Sequence, residues 1–131
     1  MTTLLTVVVP VRLVSEANTG GRMRERIKRK LAVKNAVDWH LMLADRDGSA
    51  MELDRIEDRR KRFHVTMTRI GPRALDDDNL AYACKAARDR VAKWLGVDDG
   101  DTKRVTWSYA QEKGKPREYA VRIEIARRGS E

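Results

Sequence analysis

LDDDNLAYACKAARDRVAKWLGVDDGD, residues 75–101, sets an amphipathic helix between two groups of aspartates. Leu80, Cys84, Ala87, Val91 and Trp94 or Leu95 recur at helical spacing, so one face of that helix packs on a sheet. Asp76, Asp77 and Asp78 precede it, and Asp98, Asp99 and Asp101 follow it. Along an isolated helix, about 18 residues at 1.5 Å each hold the two groups roughly 27 Å apart. They meet only if the loop after the helix folds back. The expectation is that it does, and that the groups share a divalent cation.

The flanking segments read as strands. Upstream, over residues 62–70, Phe63, Val65 and Met67 alternate with His64, Thr66 and Thr68, and Gly71 and Pro72 close the run. Downstream, Val105, Trp107 and Tyr109 form one alternating face and Tyr119, Val121, Ile123 and Ile125 another, about the polar loop QEKGKPRE at 111–118. This predicts a C-terminal β-hairpin over about 103–126. Near the start, residues 4–11 are a β-branched run suited to a buried strand, with Pro10 near its end. Residues 15–21, SEANTGG, have turn chemistry.

A long helix is expected over 22–44, with Met23, Ile27, Leu31, Val37 and Leu41 in one stripe. A turn at 45–50 and an ambiguous charged stretch at 51–61 follow. The fold class is therefore α+β: a small mixed β-sheet packed by two helices, in the order β-α-β-α-β-β. One domain over 1–131 accommodates it, with a basic loop and helix at about 15–44 and the acidic motif and helix at 75–101.

Composition narrows the function. The longest apolar run, residues 4–14, is too short to span a bilayer and contains Pro10 and Arg12, so no membrane role is expected. The single cysteine, Cys84, excludes an intramolecular disulfide and fits a reducing cytoplasm. Residues 1–75 carry 16 Lys/Arg against 9 Asp/Glu, or +7, whereas 76–101 carry 4 against 7, or −3. A positive body around a negative pocket suits a metal-dependent enzyme acting on a polyanion.

Arg22, Arg24, Arg26, Lys28, Arg29 and Lys30 crowd the first half of the long helix, where like charges repel and oppose the helix dipole. An anionic partner relieves both costs; the alternative is a solvated face. Lys113 and Lys115, on the polar loop, suit contacts to a nucleic-acid backbone. His40 reads as an ordinary helix residue, and His64 lies on the polar face of its strand. Adjacent carboxylates repel unless a cation joins them, so Asp76–Asp78 point to a site. The local alternative is helix capping, since Asp and Asn are preferred N-caps. Capping accounts for one or two of Asp76, Asp77, Asp78 and Asn79, and not for the second cluster.

LDDDNL, an amphipathic helix, VDD and two closing strands together resemble the RusA family of Holliday junction resolvases. The family signature is Asp-x-Asp-Asn-Leu followed some twenty residues later by an Asp-Asp pair, and the likeness is specific over about 62–110. It implies a homodimeric, Mg²⁺-dependent endonuclease, with Mn²⁺ as a substitute. Such an enzyme cuts branched double-stranded DNA at four-way junctions in bacterial or phage-infected cells. By motif, Asp76 and Asp78 match the first two metal-binding aspartates and Asp99 the third, with Asp98 its competitor.

The family places a functional lysine where this chain has Tyr82. Lys85, one turn further on the same face, is the candidate substitute. Arg73 joins the basic helix, Lys113 and Lys115 as a candidate DNA contact. Two other readings remain: a non-catalytic nucleic-acid-binding module of the same fold, and an adaptor whose basic helix meets an acidic protein.

Overall fold

The computed structural model describes residues 2–14, 22–45 and 62–128. The turn expected at 15–21, the turn expected at 45–50 apart from Asp45, and the ambiguous stretch at 51–61 lie outside the described residues. Its elements, in chain order, are β1 (Thr2–Val9), α1 (Met23–Ala44), β2 (Phe63–Gly71), α2 (Asp77–Ala83), α3 (Lys85–Leu95), β3 (Val105–Lys113) and β4 (Ala120–Arg127). The architecture is α+β, with a four-stranded mixed sheet in the order β1-β4-β2-β3. β4 runs antiparallel to both β1 and β2, while β3 runs parallel to β2.

This topology corrects the expected hairpin. β3 and β4 do not pair, because β2 lies between them, matching Phe63 with Val105 on one side and with Arg127 on the other. The link over 114–119 therefore crosses one strand, about 10 Å at ordinary strand spacing. Alternation around a polar turn is the same whether two strands are neighbours or flank a third. The link is pinned where it leaves the sheet, since Gly114 N donates to Gly71 O at 2.8 Å. A Cβ on Gly114 would stand 2.9 Å from Glu118 Oε1 and 3.1 Å from Ile70 Cγ2, so a side chain there would have to displace its neighbours.

One face of the sheet carries the core. Val7 and Val9 of β1, Val121, Ile123 and Ile125 of β4, Phe63, Val65 and Met67 of β2, and Val105 of β3 are buried there. Against them pack Leu80, Ala83 and Cys84, then Ala87, Val91 and Leu95, the spacing read from the sequence. Full burial of each large aliphatic or aromatic side chain contributes about 1.5–3 kcal/mol. The helix expected as one element is two, giving three helices rather than two among the described residues. The joint is Cys84, at φ −83° and ψ −7°. Cys84 N still donates to Leu80 O, and Arg88 N to Cys84 O, so the bend keeps its hydrogen bonds. Bending lets both segments follow a sheet that twists beneath them.

α3 ends at Gly96, in the left-handed region at φ 75°. Val97 N donates to Ala92 O and Gly96 N to Lys93 O, the paired bonds of a Schellman stop. α1 lies on β1 and α3, and Arg90 of α3 clamps Asp38 through a forked ion pair. Only the second half of the expected α1 stripe is buried. Val33, Val37 and Leu41 enter the core, while Met23, Ile27 and Leu31 are exposed. The first turns carry the dense cations, most of which stay exposed, and full burial begins only at Val33. No helix among the described residues is long and apolar enough to cross a membrane.

Candidate functional site

β2 delivers the chain to the aspartates, and its last inward residue shapes the turn. Position 69 continues the inward series of Phe63, Val65 and Met67, so Arg69 enters the core side of the sheet and is only 6% exposed. Its Nη1 donates to Arg73 O at 2.8 Å and its Nε to Leu13 O at 3.3 Å. Burial, reinforced by the charge of Arg12, holds its pKa below the usual arginine value. Beside it on β3, at the paired register position, Gln111 grips the next stretch. Leu75 N donates to Gln111 Oε1 at 2.8 Å, and Gln111 Nε2 donates to Leu75 O at 2.7 Å. Two inward polar residues thus brace the backbone immediately before Asp76.

Asp76 takes the N-cap position of α2, yet its carboxylate makes no capping hydrogen bond. Asp77 and Asp78 fill the first turn, and all three are exposed. The capping explanation therefore does not account for these side chains. Carboxylate oxygens on one turn, exposed and uncapped, fit a hard cation such as Mg²⁺.

The second cluster is differently engaged. Asp98 Oδ1 accepts from Gly100 N at 3.0 Å, and Asp101 Oδ1 from Lys103 N at 3.1 Å, so both close turns. Asp99 is tied to mid-helix. Its carbonyl accepts from Arg88 Nη2 at 2.8 Å and from Trp107 Nε1 at 3.0 Å. Its Oδ2 lies 3.2 Å from Arg88 Nε, which makes no hydrogen bond, so that contact is Coulombic. Arg88 also donates to Tyr109 Oη at 2.8 Å and stacks over Trp107 at 4.8 Å.

The loop does fold back, as far as Arg88. It does not complete the expected ligand set: among the described residues no three His, Cys, Asp or Glu side chains lie close enough to hold a metal ion. The braces show the spacing. Trp107 holds the second cluster and Gln111 the first, four residues apart on β3, or about 13 Å. Arg88 and Tyr109 lie between. Asp76 and Asp78 thus fit a cation by chemistry, while Asp99 is held by a guanidinium.

Lys85 does not reach back toward Asp78. Its ammonium lies 3.7 Å from Asp89 Oδ1, one turn in the opposite direction, because an unlike charge at i+4 attracts it. It lines, with Tyr82, Arg29, Lys30 and Lys34, a groove of about 160 Å³ between α1 and the α2–α3 joint. Of the other basic candidates, Arg22, Arg24, Lys28 and Lys30 are exposed on α1, and Arg26 and Arg29 are half-buried. Arg73 and Lys113 share a second cavity, of about 360 Å³, beside the turn, and Lys115 is exposed in the link beyond.

His64 lies on the far face of the sheet, within hydrogen-bonding distance of Thr106 Oγ1 and Ser108 Oγ, and His40 bonds Ala36 O within its own helix. Burial pushes the Cys84 thiol up to about 12, which leaves it protonated and inert. Neither motif nor spacing singles out Arg69, Gln111 or Arg88. Arg69 and Gln111 do carry a signal, as polar residues at inward positions of alternating strands; Arg88 carries none.

Fold and site together define a small α+β domain with a carboxylate turn at the end of its central strand and cationic walls on either side. No protein-family model, curated protein or solved structure matches the chain.

Proposed function

We propose that this chain is a RusA-like, structure-selective DNA endonuclease that resolves four-way junctions by phosphodiester hydrolysis in the cytoplasm. The observation that carries this reading is the turn at Asp76–Asp78, whose carboxylates are exposed and uncapped on a backbone clamped by Gln111. A chain with a net charge of +8 that leaves three adjacent carboxylates without a cap is organised for a cation and a polyanion together.

Asp76 and Asp78 would hold Mg²⁺, and Asp99 would join them only by leaving Arg88. When bound, the ion neutralises charge on the phosphate, activates water and stabilises the leaving oxygen. The chain's own residues bind and orient: the cations of α1 and of the groove at Tyr82 hold the DNA backbone, and Gln111 keeps the aspartates in register with it. A homodimer would present two such turns to two strands of a symmetric junction.

The second reading is a non-catalytic junction-binding protein, favoured by the Arg88–Asp99 pair and by the direction of Lys85. Incubating a synthetic four-way junction with the protein in Mg²⁺ or EDTA separates them. Cutting in Mg²⁺, lost in EDTA and in Asp78→Asn with binding retained, supports the enzyme. Binding without cutting by wild type in Mg²⁺ or Mn²⁺ supports the binder.

A further inference from the structure

The cavity beside the acidic turn has an unusual floor. Arg69 is more than nine-tenths buried, and its guanidinium forms no ion pair with a carboxylate among the described residues. Two backbone carbonyls take its Nε and Nη1, while Nη2 makes no hydrogen bond among the described residues. A buried cation is ordinarily paired, because carbonyls satisfy its donors and leave its charge uncompensated. The walls add Arg73 and Lys113, and the one carboxylate there, Glu112, is bonded to Arg122 at 2.8 Å.

Gly71 completes the shape. A Cβ at that position would lie 3.1 Å from Nη1 and 3.2 Å from Nη2 of Arg69, so a side chain would crowd the guanidinium. A tetrahedral phosphoryl group matches such a floor, since a guanidinium fork and flanking cations can each take one of its free oxygens.

We propose that this cavity is a phosphoryl-binding site, floored by Arg69 and walled by Arg73 and Lys113, which seats a backbone phosphate next to the Asp76–Asp78 turn. That its phosphate comes from DNA rests on the endonuclease reading; that it binds phosphate does not. The site is distinct from the groove at Tyr82, with which it shares no lining residue.

The test has two arms. In the first, the thermal midpoint is measured in inorganic phosphate and in chloride at equal ionic strength. Wild type and a surface control outside both cavities, Lys93→Gln/Lys103→Gln, gain several degrees in phosphate; Arg73→Gln/Lys113→Gln, whose changes are on the surface and spare the fold, gains less than half as much. An equal gain in all three, or none in wild type, overturns the site.

In the second arm, the affinity of a four-way junction is followed against salt. Arg73→Gln lowers the slope of log affinity on log salt by about one, as expected when one phosphate is no longer neutralised. An unchanged slope with the phosphate gain intact shows that the cavity takes free phosphate and overturns the DNA assignment. A full set of positive results without junction cleavage retains the site and rejects the endonuclease.

Discussion

The two acidic segments are alike in composition and unlike in use. Asp98, Asp99 and Asp101 each have a partner, in two turns and one ion pair. Asp76, Asp77 and Asp78 stand exposed at the start of a helix whose cap hydrogen bond is not made. Engaged carboxylates stabilise the fold locally, whereas in a run of unengaged ones mutual repulsion offsets what the helix dipole contributes. The difference teaches where to look for chemistry: the first segment is available to a ligand, and the second is a structural knot tied by Arg88.

The sharpest way to break that contrast is to neutralise one residue of each kind. On the endonuclease reading, Asp78→Asn should lower junction cleavage at least about 100-fold, the scale of an essential electrostatic group, while leaving the urea midpoint nearly unchanged, because relief of like-charge repulsion offsets the lost interaction with the helix dipole. Asp99→Asn should lower the midpoint as well. Equal loss of stability in the two variants would erase the distinction.

Next in size is Arg88→Ala. It removes two hydrogen bonds, an ion pair and a stacked cation that tie α3 to the loop after it and to β3. Summed without assuming additivity, these give a destabilisation of about 2–3 kcal/mol in urea unfolding. Gln111→Ala acts on the other segment. It strands the amide and carbonyl of Leu75 and should cost about 1–2 kcal/mol; since Leu75 positions Asp76, cleavage should fall with it. A Gln111→Ala variant that cleaved junctions as well as wild type would show that the clamp does not set the turn.

The joint between the segments gives a pH signature of comparable size. The folded Cys84 thiol titrates at about 12 because it is buried, above its ordinary value of 9.0. The unfolded chain therefore loses its proton first as pH rises, so the contribution is intact below about 9 and is lost between 9 and 12. At pH 10 the loss is about 1.4 kcal/mol. Chemical unfolding of wild type and Cys84→Ala at pH 8 and pH 10 checks it, and the variant should lack that increment.

These contrasts also mark what the sequence could and could not disclose. The helix faces were legible because Leu80, Cys84, Ala87, Val91 and Leu95 obey a period that only a buried stripe explains. β2 and β4 were legible as strands for the same reason with period two. Their order was not, since pairing β2 between β3 and β4 depends on long-range contacts that leave no local trace. The exposure of Met23, Ile27 and Leu31 escaped a reading by angle, because the angle does not say how far the sheet extends beneath a helix. The aspartates were legible as a cluster; that one group is engaged and the other free depends on Arg88, ten residues beyond Asp78 in the chain and joined to the second group only by the fold-back.

The smallest effect decides the finest assignment. Asp98 and Asp99 are adjacent and the motif admits either as a third ligand, but their surroundings differ. Asp98 is exposed and holds a single turn bond, so Asp98→Ala should cost only about 0.5 kcal/mol. Asp99 faces the helix and the aspartate turn lies on that side, along the β3 line of Trp107, Tyr109 and Gln111. If Asp99 is the third ligand, Asp98→Ala should keep cleavage within about twofold of wild type, because the turn's backbone bonds from Asp101 N and Arg104 N persist. Loss of cleavage in Asp98→Ala with its midpoint intact would transfer the role to Asp98 and leave the Arg88–Asp99 pair as a brace alone.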